Sequence, residues 1–286
     1  METSVTKMLP LISAVDLSKQ MSSSDIIIID ARSGTDAYER FSTGHIPGAV
    51  HIDLDKDLTQ KPTDAANGGR HPLPDIRNFG SLLGKLGIHP DSQVVVYDDK
   101  SGANAAARFW WMLKATGHQK IQVLDGGLQA AATVGIPITS EIIVPHKVAD
   151  YPVDNWKLPT VSLEEVVKAS VDRNSIIIDV REAYRYLGES EPIDLVAGHI
   201  PNAINIPYLK NLSPDGSYLP AEELVALYKA ALVDRNPGEV IVHCGSGVTG
   251  CHTLLALEQA GIPGANLYVG SWSEWSRNNL PIALGT

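Results

Sequence analysis

The feature of this sequence that most constrains its fold is an internal repeat, in which blocks of the first half return in the second half about 150 residues later. The matching blocks are IIIIDAR at 26–32 and IIIDVR at 176–181, GHIPGAV at 44–50 and GHIPNAI at 198–204, VVVY at 94–97 and VIVH at 240–243, and LDGGL at 124–128 and VGSW at 269–272. The blocks keep their order, and their period is far longer than that of a solenoid repeat. The repeat therefore predicts a duplicated domain.

Each half alternates short apolar runs with helix-like stretches, as where residues 94–97 precede residues 105–114. This alternation predicts an α/β fold in each half, with a central, mostly parallel sheet and helices on both faces. The continuous isoleucine runs suit strands that are buried on both sides. Residues 139–159 contain prolines and mixed charge without a sustained period. We therefore predict a first domain at 1–140, a linker at 141–158 and a second domain at 159–286.

Composition limits the classes of partner that this chain can have. Its 286 residues, 44% of them hydrophobic, are enough for about two domains with apolar cores. A formal net charge of −10 argues against a nucleic-acid partner, which requires a basic surface. No apolar run approaches the roughly 20 residues of a membrane span, and the first residues lack the pattern of a secretory signal. We therefore expect no membrane partner. The only cysteines are Cys244 and Cys251, so we expect no disulfide framework and a reducing, cytoplasmic location.

The candidate site is a strand, a tight loop and a helix around Cys244. A β-branched run at 240–243 leads into this cysteine, a glycine-rich turn follows at 245–249, and an apolar helical run ends at Gly261. Such a loop turns its backbone N–H groups toward one point, and the helix dipole adds positive potential there. We interpret Cys244 as a nucleophile held largely as the thiolate in an anion cradle. The alternative is a buried structural thiol at the end of a strand.

The two halves differ at the position of this cysteine. The first half has Asp98 there, followed by DKSGA at 99–103, so it lacks the nucleophile and is expected to support or close the site. Cys251 shares a helix face with Leu254 and Leu255, which favours a buried structural role. No residues have metal-ligand spacing, so we expect neither a metal nor another cofactor.

Together these residues resemble the tandem rhodanese-domain sulfurtransferases, and the resemblance covers both halves. It implies two rhodanese-like domains, a catalytically silent first domain, and a six-residue loop at 244–249 that carries the cysteine. The loop spelling CGSGVT is similar to the mercaptopyruvate branch, because the thiosulfate branch usually has arginine and lysine at positions 245 and 246. The later GSWSEW at 270–275 is similar to the family's closing motif. Its tryptophans either lie beside the site or are core aromatics.

The resemblance also implies a set of substrate-binding residues. Arg185 matches the family arginine that binds the donor's anionic group, and a planar guanidinium suits such an oxygen pair. The alternative is a surface arginine. The other predicted contacts are in the loop, at Gly245, Gly247, Val248 and Thr249. Mercaptopyruvate enzymes usually have a second arginine nine residues after the first, but this chain has ESEPID at 189–194. The spelling RYLG at 185–188 is also closer to the thiosulfate branch.

The first domain is expected to contribute two residues to the reaction. By the resemblance, Asp55 and His71 match positions that align with the loop serine, here Ser246. The implied relay has Ser246 polarised by His71, which Asp55 orients, as in serine–histidine–carboxylate sites. Both residues lie in polar segments, so solvated surface is the alternative.

The predicted activity is a two-step sulfur transfer from a small-molecule donor. A persulfide on Cys244 takes sulfur from 3-mercaptopyruvate, or alternatively from thiosulfate, and a thiol such as thioredoxin or glutathione, or cyanide, removes it. A cysteine phosphatase or arsenate reductase is a remote alternative, because the C-x-x-x-x-x-R pattern has Gly250 in place of arginine. A non-catalytic sulfur-binding module is the other. We expect a monomer, since duplication builds a pseudo-dimer interface into one chain.

Overall fold

The computed structural model describes residues 8–21, 26–232 and 235–286, which form two five-stranded parallel sheets, one in each half. The first half contains strands β1 Leu11–Ile12, β2 Ile26–Asp30, β3 Ala49–His51, β4 Gln93–Tyr97 and β5 Ile121–Leu124. Its helices are α1 Ala14–Gln20, α2 Ala37–Thr43, α3 Leu54–Asp57, α4 Ile76–Lys85, α5 Ala105–Ala115 and α6 Gly127–Thr133.

The second half repeats this plan. Its strands are β6 Thr160–Val161, β7 Ile176–Asp179, β8 Ala203–Asn205, β9 Val240–His243 and β10 Asn266–Tyr268. Its helices are α7 Leu163–Ala169, α8 Ala183–Leu187, α9 Ala221–Leu232, α10 Thr249–Gln259 and α11 Ser271–Trp275, with short 3₁₀ turns at Tyr208–Asn211 and Pro237–Glu239.

The strand orders confirm the duplication. They are β1-β5-β4-β2-β3 and β6-β10-β9-β7-β8, and every pairing within the two sheets is parallel. The predicted α/β class is therefore correct for both halves. Asp98 follows β4 and Cys244 follows β9, the middle strand of each sheet. Parallel sheets commonly bind ligands beyond the carboxyl ends of their strands, so both residues lie where a binding or active site is expected.

The repeated Asp-x-Arg and Gly-His-Ile-Pro blocks interact with each other in the second half. Arg181 pairs with Asp179 at 2.6 Å and also donates to Gly198 O at 2.6 Å. His199 is buried, and its Nδ1 lies 2.8 Å from Tyr186 O. The blocks recur because they hold strand ends together, since buried charges and rings need such partners.

One hydrophobic core runs through both halves. α5 of the first half packs against α10 of the second, and their buried residues belong to a single cluster that includes Trp111, Leu255 and Cys244. The predicted linker has no helix or regular strand between residues 141 and 158 and lies against α4. There Tyr151 N donates to Gly80 O at 3.0 Å. The boundaries at 140 and 159 stay a prediction.

Candidate active site

Cys244 lies at the carboxyl end of β9 and is only 3% exposed. The loop after it turns at Gly247, whose φ of +74° and close approach to Val269 O leave no space for a Cβ atom. α10 then begins at Thr249. The first N–H groups of a helix have no partner within the helix, so this loop ends in free donors.

The start of α11 holds the loop from one side. Trp272 N donates to Cys244 O at 3.0 Å, and Ser273 N donates to Gly245 O at 2.8 Å. In a trans peptide the C=O and the next N–H point in opposite directions. The N–H groups of Gly245 and Ser246 therefore point away from α11. The closing motif thus holds the loop through its own two N–H groups and through Ser271 Oγ, which accepts the N–H of Cys244 at 3.2 Å. Both of its tryptophan side chains are core aromatics in a separate cluster.

The first half shows what such a loop binds. The Asp98 carboxylate, 1% exposed, accepts four backbone hydrogen bonds, at 2.9, 2.8, 3.1 and 3.3 Å. The donors are the N–H groups of Lys100, Gly102, Asn104 and Ala106. In the second half, within the described part of the chain, the N–H groups of residues 245–249 donate to no protein acceptor. The two loops therefore correspond to a filled and an open anion cradle.

The structure brings together the three residues of the predicted relay. His71 Nδ1 lies 2.7 Å from Ser246 Oγ, and His71 Nε2 lies 3.2 Å from Asp55 Oδ1. Burial lowers the pKa of His71, so the ring is neutral at pH 7. When Nε2–H donates to Asp55, Nδ1 is free to accept the Ser246 hydroxyl proton. The three groups can thus move a proton beside Cys244.

The predicted donor arginine is buried among carboxylates. Arg185 Nη2 lies 2.8 Å from Glu191 Oε1 and 3.4 Å from Asp194 Oδ2, and Arg185 Nη1 lies 3.3 Å from Glu182 Oε2. Asp194 stands nine residues after Arg185, where relatives of the mercaptopyruvate branch usually have their second arginine. The surface alternative for Arg185 is wrong, because its side chain is 7% exposed.

The other predicted loop contacts fall in different surroundings. Gly245 lies beside Arg185, whose Nη2 is 3.4 Å from the position of an added Cβ on this glycine. Val248 is buried and belongs to the core cluster. Thr249 is the first residue of α10 and is partly exposed. Cys251 is fully buried, its Sγ lies 3.4 Å from Gly247 O, and burial raises the pKa of this thiol to about 12. Its surroundings suit an unreactive thiol.

Sequence reasoning missed Arg108, a cation of the first half that lies under the catalytic loop of the second. Its Nη1 donates to Gly247 O at 3.1 Å and its Nη2 to His71 O at 3.0 Å. The side chain is fully buried, and no ion pair of an arginine in the described ranges includes Arg108. The available signal was a lone arginine in the apolar helical run AAARFWWM.

Arg70 was missed as well. Arg70 precedes the predicted His71 in the sequence, and its guanidinium pairs with Asp194 beside Gly245 of the loop. Among residues 8–21, 26–232 and 235–286, no group of three or more His, Cys, Asp and Glu side chains is arranged to hold a metal ion. No helix in these ranges is long and apolar enough to span a membrane.

Comparisons with known proteins agree with this geometry. The Rhodanese-like domain family matches the chain twice, at residues 13–133 and 162–278. The chain is 39% identical over 285 residues to a probable 3-mercaptopyruvate sulfurtransferase of Pseudomonas aeruginosa, covering 96% of this chain and 98% of that protein. It is 35% identical over 285 residues to the putative thiosulfate sulfurtransferase SseB of Mycobacterium tuberculosis, covering 96% and 97% of the two chains.

A solved structure shares the arrangement of both halves. The 3-mercaptopyruvate sulfurtransferase from Leishmania major superposes with a TM-score of 0.81 at 28% sequence identity, covering 94% of this chain and 74% of that chain. Relatives named for two different sulfur donors therefore share this fold.

Proposed function

The chain belongs to the rhodanese family and is a sulfurtransferase, and from this premise we propose that Cys244 carries the transferred sulfur as a persulfide. The observation that supports this most is the open cradle: Cys244 begins a loop whose N–H groups lack protein acceptors, while the matching loop binds the Asp98 carboxylate. Such donors stabilise negative charge as it develops on a reacting atom.

In the first step, the Cys244 thiolate attacks the donor sulfur. With 3-mercaptopyruvate, the new S–S bond forms as the C–S bond breaks, and the electron pair leaves as the enolate of pyruvate. The donor's thiol proton passes through Ser246 to His71 Nδ1, 2.7 Å away, and then returns to the enolate carbon. With thiosulfate, the S–S bond of the donor breaks and sulfite leaves without a proton.

In the second step, an acceptor removes the outer sulfur. A thiolate acceptor attacks that sulfur and leaves as a persulfide, or cyanide leaves as thiocyanate, and Cys244 returns as the thiolate. Splitting the transfer in this way gives ping-pong kinetics. Glutathione and a reduced thioredoxin are suitable thiol acceptors, and a reducing compartment such as the cytoplasm supplies both.

We favour 3-mercaptopyruvate as the donor, with thiosulfate as the second candidate. Gly245 and Ser246 leave the loop without the arginine and lysine of the thiosulfate branch, and Ser246 has its proton partner in His71. Thiosulfate stays the second candidate, because this chain has Asp194 in place of the second donor arginine that the mercaptopyruvate branch usually has. A phosphatase is disfavoured, because at Gly250 an added Cβ would already lie 3.1 Å from Leu267 Cδ1, which leaves little room for an arginine.

The test is steady-state sulfur transfer to cyanide, with each donor separately. Cys244→Ala is expected to abolish transfer, whereas Cys251→Ala, a matched thiol loss seven residues away, is expected to retain it. A tenfold or greater preference in kcat/KM, about 1.4 kcal/mol, assigns the donor. Mass spectrometry should detect one added sulfur on Cys244 after donor alone. Retained activity in Cys244→Ala contradicts the proposal. Light scattering tests the monomer that we also propose.

A further inference from the structure

Three arginines surround one carboxylate beside Gly245, the residue after Cys244. Arg70 Nη1 pairs with Asp194 Oδ1, Arg277 Nη1 lies 3.2 Å from the same oxygen, and Arg185 Nη2 lies 3.4 Å from Asp194 Oδ2. The Asp194 side chain is 0% exposed. A carboxylate held only by guanidinium groups has the surroundings of a bound anionic ligand.

This cluster lies directly beside the nucleophile. The position of an added Cβ on Gly245 is 3.4 Å from Arg70 Nη2, 3.4 Å from Arg185 Nη2 and 3.6 Å from Asp194 Oδ2. Gly245 is the residue after Cys244. In a donor as small as mercaptopyruvate or thiosulfate, the anionic group is within a few bonds of the sulfur, so it must bind at this distance from Cys244.

The charges leave no surplus for an added anion. The three arginines of the cluster face the carboxylates of Asp194, Glu191 and Glu182. Glu191 is fixed, because it also pairs with Arg181 and accepts from two backbone N–H groups at 3.0 Å each. The Asp194 carboxylate has only its arginine partners, while the Asp194 backbone is one of the two donors to Glu191.

The segment that carries Asp194 is irregular, but its backbone is held: Asp194 N donates to Glu191 Oε1 at 3.0 Å, and Trp272 Nε1 donates to Val196 O at 2.9 Å. Residues 192–197 have no helix or strand, and the side chains of Ile193 and Leu195 on either side of Asp194 are largely exposed. Cys244 is 3% exposed, so a neighbouring group must move before a donor reaches its sulfur. The Asp194 carboxylate is one of the groups beside the next residue, Gly245. Because the backbone of the segment is held, we place the movement in the side chain of Asp194.

We propose that Asp194 is an internal occupant of the donor-anion site, and that the anionic oxygens of the donor displace it from Arg70 and Arg185. This inference rests on the proposed role of Cys244 as the sulfur acceptor. It makes Arg70, a residue of the first half, part of the donor site, in the role of the missing second arginine. Asp194 then sets donor affinity by competition and disfavours donors with a higher negative charge.

The test is the charge-neutral variant Asp194→Asn, which keeps the size of the side chain. We expect KM for both donors to fall about fivefold or more at low ionic strength, with kcat within twofold of wild type, because a competing charge is removed. Arg70→Gln is expected to raise KM tenfold or more. The matched control is Glu189→Gln, which removes the same charge from an exposed side chain and should leave KM unchanged.

A second readout does not depend on turnover. Pyruvate and sulfite, the products that carry the donor's anionic group, should protect Cys244 from iodoacetamide at lower concentrations in Asp194→Asn than in wild type. An unchanged or raised half-protecting concentration and KM in a folded variant would show that Asp194 only positions the arginines. Tighter protection without sulfur transfer in any variant would instead overturn the proposed function, and would show only that Asp194 competes with anions for these arginines.

Discussion

At the scale of single residues, the three members of the relay differ most in burial. Ser246 is buried, the His71 side chain is 19% exposed, and that of Asp55 is 75% exposed. A hydrogen bond to a charge in bulk water contributes little. The contact between Ser246 and His71 should therefore matter more than the contact between His71 and Asp55.

This difference predicts a particular pH dependence. Burial lowers the pKa of His71 from 6.5, and the negative charge of Asp55 opposes that shift. Only the neutral ring accepts the Ser246 proton, so kcat/KM for 3-mercaptopyruvate, the donor whose thiol proton uses this relay, should hold at neutral pH and fall with acid at a midpoint below 6.5. Asp55→Asn removes the opposing charge and should move this midpoint to still lower pH, with less than a fivefold loss of activity at pH 7.

The pH–rate profiles of wild type, Asp55→Asn and His71→Gln provide the measurement. His71→Gln should be much less active than Asp55→Asn and should lack the acid limb. If Asp55→Asn moves the midpoint upward, or if His71→Gln keeps the limb, the titrating group is not His71. The donor's own ionisation is the same in all three profiles, so it cancels in the comparison.

Residue types in the loop were predictable from the sequence, but their long-range partners were not. Cys244, Gly247 and Ser246 carry local signals, because a strand, a glycine turn and a helix start follow one another. Arg70 and Asp194 are 124 positions apart, and nothing in either segment alone indicates that they meet. The same holds for Arg108, whose partners are two carbonyl oxygens with no side-chain signature.

At the scale of elements, the loop between β9 and α10 contains two glycines with opposite tolerances. Gly247 has φ +74° and faces Val269 O, whereas an added Cβ at Gly245 meets nothing closer than 3.4 Å. Gly247→Ala should therefore cost about 2–4 kcal/mol, through strain and a backbone clash, and should abolish transfer. Gly245→Ala should keep the melting temperature and change only donor KM.

Differential scanning calorimetry and the cyanide assay compare the two variants directly. Equal melting temperatures for Gly247→Ala and Gly245→Ala would contradict the role assigned to the turn. The prediction depends on α11 as well, since this helix fixes the carbonyl side of the loop. That support was missing from the sequence interpretation, which considered only the side chains of the closing motif.

At the scale of the whole molecule, the shared core joins the two halves. The cluster around α5 and α10 includes buried residues from both sheets. Leu255, on α10, is fully buried in it. We predict that Leu255→Ala costs about 2–5 kcal/mol and lowers the stability of both halves together. Unfolding in urea should remain a single transition.

Hydrogen exchange read by mass spectrometry separates the halves in this experiment. Peptides from β2 and β7 should lose protection at the same urea concentration in wild type and, at a lower one, in Leu255→Ala. Leu209→Ala, at a mostly exposed leucine, should shift neither. Separate transitions for the two sheets would indicate independent domains.

The overall architecture was the most predictable level. The order of repeated blocks was enough for a duplicated α/β fold, because buried isoleucine runs and glycine turns are local properties. The mode of association between the halves was not, since the apolar residues of α5 and α10 do not specify which helix they pack against. Much of the site depends on that association, which brings His71, Arg70 and Arg108 to Cys244.

The Asp98 carboxylate has a consequence for the working cycle of the chain. In the first half the anion is a side chain of the protein, so the N–H groups of the loop always have an acceptor. With Asp98 at this position, the first half has no thiol in its loop, and four backbone N–H groups still donate to a carboxylate there. Under the proposed mechanism, the N–H groups of the Cys244 loop gain the transferred sulfur as an acceptor only while that sulfur is bound to Cys244. The transferred sulfur is then both the group that the acceptor removes and, for part of each cycle, the hydrogen-bond acceptor of the loop that carries it.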